Sequence, residues 1–282
     1  MPLPQWLKVK SRANHKTRSL LRHHNLHTVC EEARCPNQHY CFSKPVVTFM
    51  ILGDHCTRKC GFCAVSYRTP LRPDPKEPQR IAEAVLEMGL RYVVLTSVTR
   101  DDLPDGGATH FAECIRSVRR ASSDIKIEVL TPDFQGNIEA LKKVVEAMPD
   151  VFNHNLETVS RLYPVVRPQA DYDRSLFVLK KAKEMVPHLK TKSGLMVGLG
   201  ETTDEVLSLM DDLRAVGCDM LTIGQYLQPT KKNLPVTEYI MPKVFEELKE
   251  IALVKGFRHV ASAPLVRSSF NAEDHWHEAI GS

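Results

Sequence analysis

Six of the eight cysteines in this 282-residue sequence fall into two closely spaced triads. The first triad is Cys30, Cys35 and Cys41 (C-x4-C-x5-C), and the second is Cys56, Cys60 and Cys63 (C-x3-C-x2-C). Cysteine thiolates are the usual ligands of iron–sulfur clusters. A cluster of four irons held by three thiolates keeps one iron open for another ligand, and an open iron suggests catalysis.

Other uses of these cysteines fit the spacing less well. Structural zinc sites usually combine paired C-x2-C half-sites into complete four-ligand sets, and neither triad has that form. Disulfides are disfavoured because the sequence shows no secretory signal with an apolar core and is longer than disulfide-stapled mini-domains. Cys114 and Cys218 lie in apolar stretches, so we expect both to be small buried hydrophobic residues.

The composition is that of a globular protein, with 43% hydrophobic residues and a net charge of +4. This length fits either one α/β barrel or two small domains. Residues 1–30 contain no acidic residue, and such a segment prefers acidic partners, although its composition also resembles a transit peptide. The cations of this segment are Lys8, Lys10, Arg12, Lys16, Arg18 and Arg22. No apolar run reaches membrane-spanning length, and the cations lack the interleaved aromatics of a nucleic-acid-binding surface.

From residue 46 onward, short β-branched runs alternate with amphipathic helical stretches. The predicted strands are 46–52, 92–98, 125–130, 151–155, 191–197 and 220–224, with a further short strand at 258–261. The predicted helices are 77–88, 108–121, 137–147, 174–185, 203–216 and 242–255. This alternation indicates a parallel sheet. Because a closed barrel needs eight units, the pattern predicts a partial barrel of six units.

Polar residues follow the ends of several predicted strands. They are Thr96, Ser97, Asp101 and Asp102 after the second strand, Asn153, Asn155 and Glu157 at the fourth, Gly198, Gly200 and Glu201 at the fifth, and Gln225 and Gln228 at the sixth. Each of them taken singly is more simply a cap or a turn residue. Parallel barrels collect their active-site loops at the carboxyl ends of the strands, so the joint placement predicts one shared mouth.

The second triad lies within C-T-R-K-C-G-F-C at 56–63, which carries the C-x3-C-x-aromatic-C signature of the radical S-adenosylmethionine (SAM) superfamily. This resemblance implies an α/β fold, a partial (β/α)6 barrel. The whole chain resembles the lipoyl synthase family, in V-C-E-E-A-R-C-P-N (29–37), T-F-M-I-L-G-D (48–54), D-D-L-P-D-G-G (101–107), V-F-N-H-N (151–155), T-K-S-G-L-M-V-G-L-G-E-T (191–202), T-I-G-Q-Y-L-Q-P (222–229) and V-R-S-S (266–269). The similarity begins at P-Q-W-L-K-V-K (4–10), so we expect no separate presequence and a cytoplasmic location.

The resemblance assigns the second triad to SAM chemistry. Cys56, Cys60 and Cys63 would hold the 4Fe-4S cluster whose open iron binds the amino and carboxylate groups of SAM. Cleavage of SAM would give a 5′-deoxyadenosyl radical, which removes hydrogen from unactivated methylenes. The implied SAM contacts are Phe62, Gly198 and Glu201 on the adenine side, Thr96 and Ser97 at the methionyl end, and Asn153, Asn155 and Glu157 on the ribose side. Lys192 is a further implied SAM contact.

The resemblance assigns the first triad to sulfur donation. Cys30, Cys35 and Cys41 would hold an auxiliary 4Fe-4S cluster, with Ser269 of the R-S-S motif as its fourth ligand. A serine oxygen is a poorer partner for iron than a thiolate and would leave easily when the cluster opens. The implied reaction inserts sulfur at C6 and C8 of an octanoyl chain and uses two SAM molecules for each product.

The implied partners are octanoylated lipoyl carrier domains, namely the E2 subunits of 2-oxoacid dehydrogenases and the glycine cleavage H protein. An electron donor such as flavodoxin or ferredoxin is implied as well. We expect three regions: an N-terminal extension at 1–45 with the auxiliary-cluster cysteines, the barrel at 46–256, and a C-terminal extension at 257–282.

Three departures from the family pattern are visible, and two alternatives stay open. Residues 42–48 read F-S-K-P-V-V-T where the family usually has W-x-x-G-T-A-T, and Phe270 replaces a tyrosine. The segment after Cys63 reads A-V-S-Y-R-T-P where a glycine-containing turn is common. One alternative is a divergent radical SAM enzyme that acts on another substrate. The other is a non-enzymatic iron–sulfur electron-transfer protein.

Overall fold

The computed structural model describes residues 2–8, 15–42 and 47–280. Its centre is an eight-stranded sheet with the order β1-β2-β5-β6-β7-β8-β9-β10, which is parallel except for the β1–β2 pair. The strands are β1 His27–Thr28, β2 Thr48–Ile51, β5 Tyr92–Ser97, β6 Lys126–Leu130, β7 Val151–Asn153, β8 Lys190–Val197, β9 Met220–Gln225 and β10 His259–Ser262, while β3 His55–Cys56 and β4 Ser66–Tyr67 form a separate small sheet. Because β1 and β10 are the edges of the sheet, the predicted partial barrel is confirmed.

Helices follow the strands of the barrel in alternation. The α-helices are α1 His15–His23, α2 Val29–Glu32, α3 Gln38–Cys41, α4 Glu77–Glu87, α5 Ala108–Ala121, α6 Ile138–Glu146, α7 Tyr163–Val166, α8 Tyr172–Met185, α9 Thr203–Ala215, α10 Pro242–Val254 and α11 Ala272–Ile280, and the 3-10 turns are Gln5–Leu7, Phe134–Gly136 and Ser160–Leu162. The six predicted helices and seven predicted strands are all present with shifts of a few residues. The short elements before β2, the β3–β4 sheet, α7 and α11 were not predicted.

Local sequence explains where the barrel helices begin. Asn137 caps α6, Asp171 caps α8, and the Thr202 side chain accepts a hydrogen bond from the Glu205 amide at the start of α9. The Glu205 carboxylate in turn accepts from the Thr202 amide, which completes a capping box. Such caps satisfy backbone donors that have no partner within the helix and stabilise a helix by about 1 kcal/mol.

The strands present two different faces. Val93 and Leu95 of β5 belong to the main core together with apolar residues of the surrounding helices. Tyr92 and Val94, which alternate with them, pack instead against α11 through Ala272. Residues of a strand point alternately to its two faces, so Tyr92 and Val94 face the interior of the barrel. Both belong to the first half of β5, and the C-terminal helix α11 therefore covers the interior at the amino ends of the strands. The opposite ends of the strands are left for the site.

Several smaller predictions are settled by the fold. Cys114 and Cys218 are fully buried, as predicted. No helix in the described part of the chain is long and apolar enough to cross a membrane. Residues 9–14 and 43–46 are outside the described ranges, and so are the predicted cations Lys10 and Arg12 and most of the altered 42–47 loop. The division into 1–45, 46–256 and 257–282 stays a prediction.

Candidate metal centre and active site

A cavity of about 520 Å³ opens at the carboxyl ends of the strands. Its walls come from the N-terminal segment, the 56–63 loop, the ends of β6, β8 and β9, and the segment at 266–269. Among the predicted site residues, those that line it are Cys30, Cys35, Phe62, Cys63, Asn155, Glu157 and Ser269. The structure thus brings residues of both triads and of the R-S-S motif around one cavity.

The loop of the second triad is fixed by backbone hydrogen bonds to three other loops. The Thr57 amide donates to the Thr99 carbonyl at 3.0 Å, and the Gly61 amide donates to the Val166 carbonyl at 2.9 Å. The Leu234 amide donates to the Gly61 carbonyl at 2.9 Å from the loop after β9. These backbone hydrogen bonds position the loop that carries the three thiols, although the loop contains no regular helix and no long strand.

Burial affects two thiols of the second triad. It raises the pKa of Cys60 to about 11 and that of Cys63 to about 12. Since iron binds the thiolate, these thiols become ligands only when a cation displaces their protons. Amides of Arg58 and Thr99 already point at the Cys56 sulfur, at 3.4 and 3.3 Å. Three soft donors with amide support fit an iron–sulfur cluster.

Arg58, inside the C-x3-C loop, anchors that loop to two neighbouring strand ends. Its guanidinium donates two hydrogen bonds to Asp101, at 2.6 and 2.9 Å, and two to Asp133, at 2.9 and 2.7 Å. The Arg58 and Asp133 side chains are almost fully buried, while Asp101 is partly exposed. Burial raises the pKa of Asp133, but Arg58 outweighs it and holds the pKa at about 2. Paired bidentate contacts of this kind fix both position and orientation.

A second, smaller cavity adjoins the first and contains the other triad. Its lining includes Cys30, Cys35, Cys41 and Ser269, together with Asn37, Thr48, Arg267 and Phe270. The Asn37 amide group donates to the Leu265 carbonyl at 2.6 Å, and the rings of Tyr40 and Phe270 are 5.4 Å apart. These contacts hold the N-terminal and C-terminal segments together, so a serine more than two hundred residues from Cys41 in sequence shares its cavity.

Two thiols of the first triad are directly coupled. The hydrogen bond from the Cys30 thiol lowers the pKa of Cys35 to about 6, and the positive charge of Arg267 acts in the same direction. The same hydrogen bond and burial raise the pKa of Cys30. Cys35 is therefore the more acidic thiol of the pair. A thiol whose pKa is lowered beside a cation loses its proton readily to a metal.

Asn155 connects the ribose-side residues with the R-S-S motif. Its amide nitrogen donates to Ser268 at 2.6 Å and to Glu157 at 3.0 Å, while its buried side-chain oxygen accepts no hydrogen bond from the described residues. Burial raises the pKa of Glu157. An unsatisfied buried acceptor on the wall of a cavity fits a ligand that donates hydrogen bonds, such as ribose hydroxyls.

Two glycines keep room for these segments. A Cβ at Gly224 would lie 2.1 Å from the Val266 carbonyl oxygen, and one at Gly194 would lie 2.5 Å from the Thr222 hydroxyl. Both approaches are closer than van der Waals contact allows. Glycine at these positions therefore lets the C-terminal segment cross the ends of β8 and β9.

The remaining predicted SAM contacts lie around the cavity but not on its wall. Thr96 donates to the Leu130 carbonyl at 2.9 Å, the Ser97 hydroxyl is buried without a partner in the described chain, and Glu201 accepts from the Gly198 amide. Asn153 donates to Glu128 at 2.9 Å.

Lys192 lies deeper in the barrel than its motif neighbours. Its ammonium group contacts both oxygens of Glu128, at 2.9 and 3.1 Å, and both side chains are buried. Gly194 and Met196, which share its face of β8, line the cavity, whereas Lys192 is nearer to the amino end of the strand. Glu128 therefore lies between Lys192 and Asn153 and forms a hydrogen bond with each of them.

Sequence reasoning missed three residues that belong to the site. Arg267 lines both cavities, Tyr226 lines the larger one, and Arg167 donates to the Asn155 carbonyl at 3.0 Å. Arg267 stands within the V-R-S-S motif and Tyr226 within T-I-G-Q-Y-L-Q-P, and these motifs are the signals that would have found them. Arg167 belongs to none of the quoted motifs, and only the fold places it there.

The predicted basic N-terminal segment is described in part. Arg18 lies 3.6 Å from Glu31 and donates to Gln38 at 3.1 Å, while Lys8 and Arg22 are exposed. Arg18 therefore serves, at least in part, to hold α1 against the helices of the first triad.

Comparisons with known proteins bear on the family to which the chain is similar. The model of the radical SAM superfamily matches residues 50–213, and the model of the N-terminal domain of lipoyl synthase of the radical SAM family matches residues 1–35. The lipoyl synthase of Caldicellulosiruptor saccharolyticus is 57% identical over 274 residues, which are 96% of this chain and 96% of that protein. The lipoyl synthase of Pasteurella multocida is 55% identical over 275 residues, which are 96% of this chain and 86% of that protein.

Solved structures share the fold at low sequence identity. The FeFe-hydrogenase maturase HydG from Carboxydothermus hydrogenoformans aligns with a TM-score of 0.61 and 16% identity, over 82% of this chain and 56% of that one. Methylornithine synthase (PylB) aligns with a TM-score of 0.55 and 16% identity, over 95% of this chain and 87% of that one. At such identity these likenesses show the fold alone.

Proposed function

The chain belongs to the lipoyl synthase family, and from this membership we propose which of its residues perform each part of the reaction. The reaction is the radical SAM-dependent insertion of two sulfur atoms at C6 and C8 of a protein-bound octanoyl chain, which gives the lipoyl cofactor. SAM and 4Fe-4S clusters are its cofactors. The alternative of a non-enzymatic electron-transfer protein is wrong, because the family consists of enzymes.

The two cysteine triads ligate two different clusters in this proposal. Cys56, Cys60 and Cys63 hold the cluster that binds SAM, and Cys30, Cys35, Cys41 and Ser269 hold the auxiliary cluster. The observation that carries the proposal is the cavity that Ser269 shares with all three cysteines of the first triad. When bound, the first cluster supplies the electron that cleaves SAM and the second supplies the sulfur atoms.

The residues around the larger cavity bind and orient SAM. Phe62 packs against the adenine, while Asn155 and Glu157 accept hydrogen bonds from the ribose hydroxyls. The unsatisfied oxygen of Asn155 and the burial of Glu157 support these roles. Thr96, Ser97, Asn153, Gly198 and Glu201 complete the surroundings from the strand ends. Lys192 acts through Glu128, which orients Asn153.

Two partly buried arginines balance the negative charge of the site. Arg267 lines the cavity with the first triad and Glu157, and its charge lowers the pKa of Cys35. Arg167 lies near Cys60 and Glu157 and acts to lower the pKa of both, because a cation stabilises both anions. Together they allow thiolates and a carboxylate to lie close to one another.

The substrate reaches the site on a carrier protein. We assign this role to the octanoylated E2 subunits of 2-oxoacid dehydrogenases and to the glycine cleavage H protein. Flavodoxin or ferredoxin is the proposed electron donor, and the cytoplasm is the proposed location, where such carriers and reductants are found together.

An anaerobic turnover assay tests the proposal. The reconstituted chain is incubated with SAM, a reductant and an octanoylated lipoyl-domain peptide, and the peptide is analysed by mass spectrometry. We expect addition of two sulfur atoms in the unmodified chain and none in Ser269→Ala, whereas Ser208→Ala, on the exposed surface of α9, should match the unmodified chain. Full lipoyl yield from Ser269→Ala would refute the assignment of Ser269.

A further inference from the structure

The mouth of the larger cavity is bordered by cations. Most lining residues are partly or fully buried, but Leu3, Arg34 and Gln228 are exposed, and they mark where the cavity meets solvent. Arg34 therefore stands at the opening itself. Three further cations, Lys231, Lys232 and Arg68, lie on the two loops that continue from this opening, and all three are exposed. We call Arg34, Arg68, Lys231 and Lys232 the cationic rim.

Lys231 and Lys232 are carried by a turn that is fixed to the second triad. The Thr230 hydroxyl donates to the Asn233 side chain at 2.6 Å, and the Asn233 amide donates to the Thr230 carbonyl at 3.0 Å. The Asn233 side chain then donates to the Cys63 carbonyl at 2.7 Å. The two lysines form the tip of this turn, so their ammonium groups are presented to solvent next to the loop that holds Cys63.

Arg68 is placed by the small sheet. It directly follows β4, and β4 pairs with β3 at Cys56↔Tyr67. Tyr67 itself is 56% exposed, so its ring and the Arg68 side chain are both accessible to solvent. The second cysteine loop thus contacts both the turn that carries Lys231 and Lys232 and the strand that Arg68 follows.

The rim carries positive charge that the chain does not neutralise. Segments 33–37, 63–71 and 227–237 contain no aspartate or glutamate. None of the four rim cations forms an ion pair with any acidic residue that the structure describes. Glu31 and Glu32, the nearest acidic residues to Arg34 in sequence, contact Arg18 and His27 instead.

Some lysines elsewhere on the surface are neutralised within their own helix. Lys142 and Lys243 pair with glutamates four residues later, and Lys181 pairs with Glu184. The rim differs from these helices in that four cations meet beside one opening while its segments contain no acidic residue. A cluster of one sign beside an opening attracts and orients oppositely charged partners.

We propose that the cationic rim docks an acidic protein surface that surrounds an acylated lysine, so that the acyl chain enters the cavity while the carrier stays outside. This inference rests on the proposed function, because it takes the substrate to be protein-bound. The cavity, at about 520 Å³, has room for an acyl chain and is too small for a folded partner. The rim must then supply the contacts with the carrier.

A charge-neutralising triple variant tests this docking surface in the reconstituted enzyme. Lys231→Gln, Lys232→Gln and Arg68→Gln are combined, since none of these residues lines the cavity. The matched control combines Lys180→Gln, Lys181→Gln and Arg116→Gln, which remove the same charge from the outer helices α8 and α5. Each enzyme is assayed with an octanoylated acidic carrier protein and with a short octanoyl-lysine peptide of zero net charge.

We expect the triple variant to lose roughly tenfold in kcat/KM for the carrier at low salt and to keep the value for the peptide. The dependence of kcat/KM on salt should flatten in the triple variant only, because the Debye length falls to about 8 Å near 0.15 M salt. Direct binding of the carrier, measured by fluorescence anisotropy without turnover, should weaken in parallel.

Three results would overturn the proposal. An unchanged kcat/KM for the carrier in the triple variant would show that the rim does not bind the carrier. An equal loss of kcat/KM for carrier and peptide would show that these residues affect the reaction itself. Tight binding of a short RNA oligonucleotide, with no binding of the carrier, would assign the rim to another polyanion. A wrong assignment of the function would give a different result. The unmodified enzyme would then add sulfur to neither substrate, whereas fluorescence anisotropy would still detect binding of the carrier.

Discussion

Replacing Arg58 by methionine should destabilise the protein strongly, because it leaves a buried carboxylate without its partner. Asp133 is fully buried and receives two hydrogen bonds from Arg58. Removing one partner of a buried ion pair costs about 3–5 kcal/mol in free energy of unfolding. With an unfolding entropy of about 2.1 cal/mol/K per residue, this corresponds to a fall in Tm of about 5–8 °C for a chain of this size.

The sign of the pH dependence should also reverse at this site. In the unmodified chain the pKa of Asp133 is held at about 2, below its value in the unfolded state. Its contribution to stability is present above a pH of about 4 and is lost as the pH falls through 2. Without Arg58, burial raises the pKa of Asp133, so the variant should lose stability as the pH rises above about 4.

Thermal unfolding followed by circular dichroism, together with iron content after anaerobic reconstitution, measures both effects. Arg174→Met is the matched control, since its side chain is 30% exposed against 5% for Arg58 and lies 3.7 Å from the same carboxylate; it should cost less than about 1 kcal/mol. Arg58→Met combined with Asp133→Asn should recover part of the loss. A fall in Tm below about 2 °C for Arg58→Met, with full iron content, would refute the anchoring role.

The remaining predictions concern space, buried charge, pH and metal content. Gly224→Ala should displace the C-terminal segment, because its Cβ would meet the Val266 carbonyl at 2.1 Å, and lipoyl yield measured by mass spectrometry should fall well below that of the unmodified chain; an unchanged yield would contradict this. Lys192→Met should cost about 3–5 kcal/mol in urea unfolding because Glu128 stays buried and unpaired, whereas a cost below about 1 kcal/mol would mean that the pair is dispensable. Burial lowers the pKa of His154 to about 4, so folding keeps it neutral and stability should decline as the pH falls from about 6.5 to 4; urea midpoints at pH 7.5 and 5.5 should differ less in His154→Gln, and an equal difference would exclude His154. The reconstituted chain should contain about eight irons and lose about half when either triad is replaced by alanine, whereas stoichiometric zinc would rule out the two-cluster assignment.

The barrel was predictable because its signals are local and repeated. Helix α5 was predicted at the residues where it occurs, and the predicted strand at 92–98 differs from β5 by one residue. Apolar periodicity of 3.6 or 2 residues marks such elements wherever one face is buried. Helices α2 and α3 have only four residues each, which is too short for an apolar periodicity, so no local sequence pattern predicted them.

The site was predictable only in part, and Ser269 and Lys192 show why. The approach of Ser269 to the first triad depends on contacts between the two ends of the chain, and only the family resemblance pointed to it. Lys192 was expected among the SAM contacts on the strength of the family resemblance. It points to the same face of β8 as Gly194 but lies nearer to the amino end of the strand, where Glu128 binds it.

The role of Arg58 was missed for a related reason. Arg58 is one of the three unspecified residues between Cys56 and Cys60, so the cysteine motif does not single it out. Its partners Asp101 and Asp133 come from the ends of two other strands, and an interpretation of Asp101 as a turn residue was equally consistent with the sequence. Long-range ion pairs of this kind have no spacing signature.

The central claim is that the two triads perform different chemistry, and parallel measurement of 5′-deoxyadenosine and lipoyl product tests it most directly. Alanine at Cys56, Cys60 and Cys63 should abolish both products, because the site that cleaves SAM is lost. Alanine at Cys30, Cys35 and Cys41 should abolish the lipoyl product while 5′-deoxyadenosine still forms. If the second set of replacements abolished 5′-deoxyadenosine as well, or if either set left the lipoyl yield intact, the division of labour between the two triads would be contradicted.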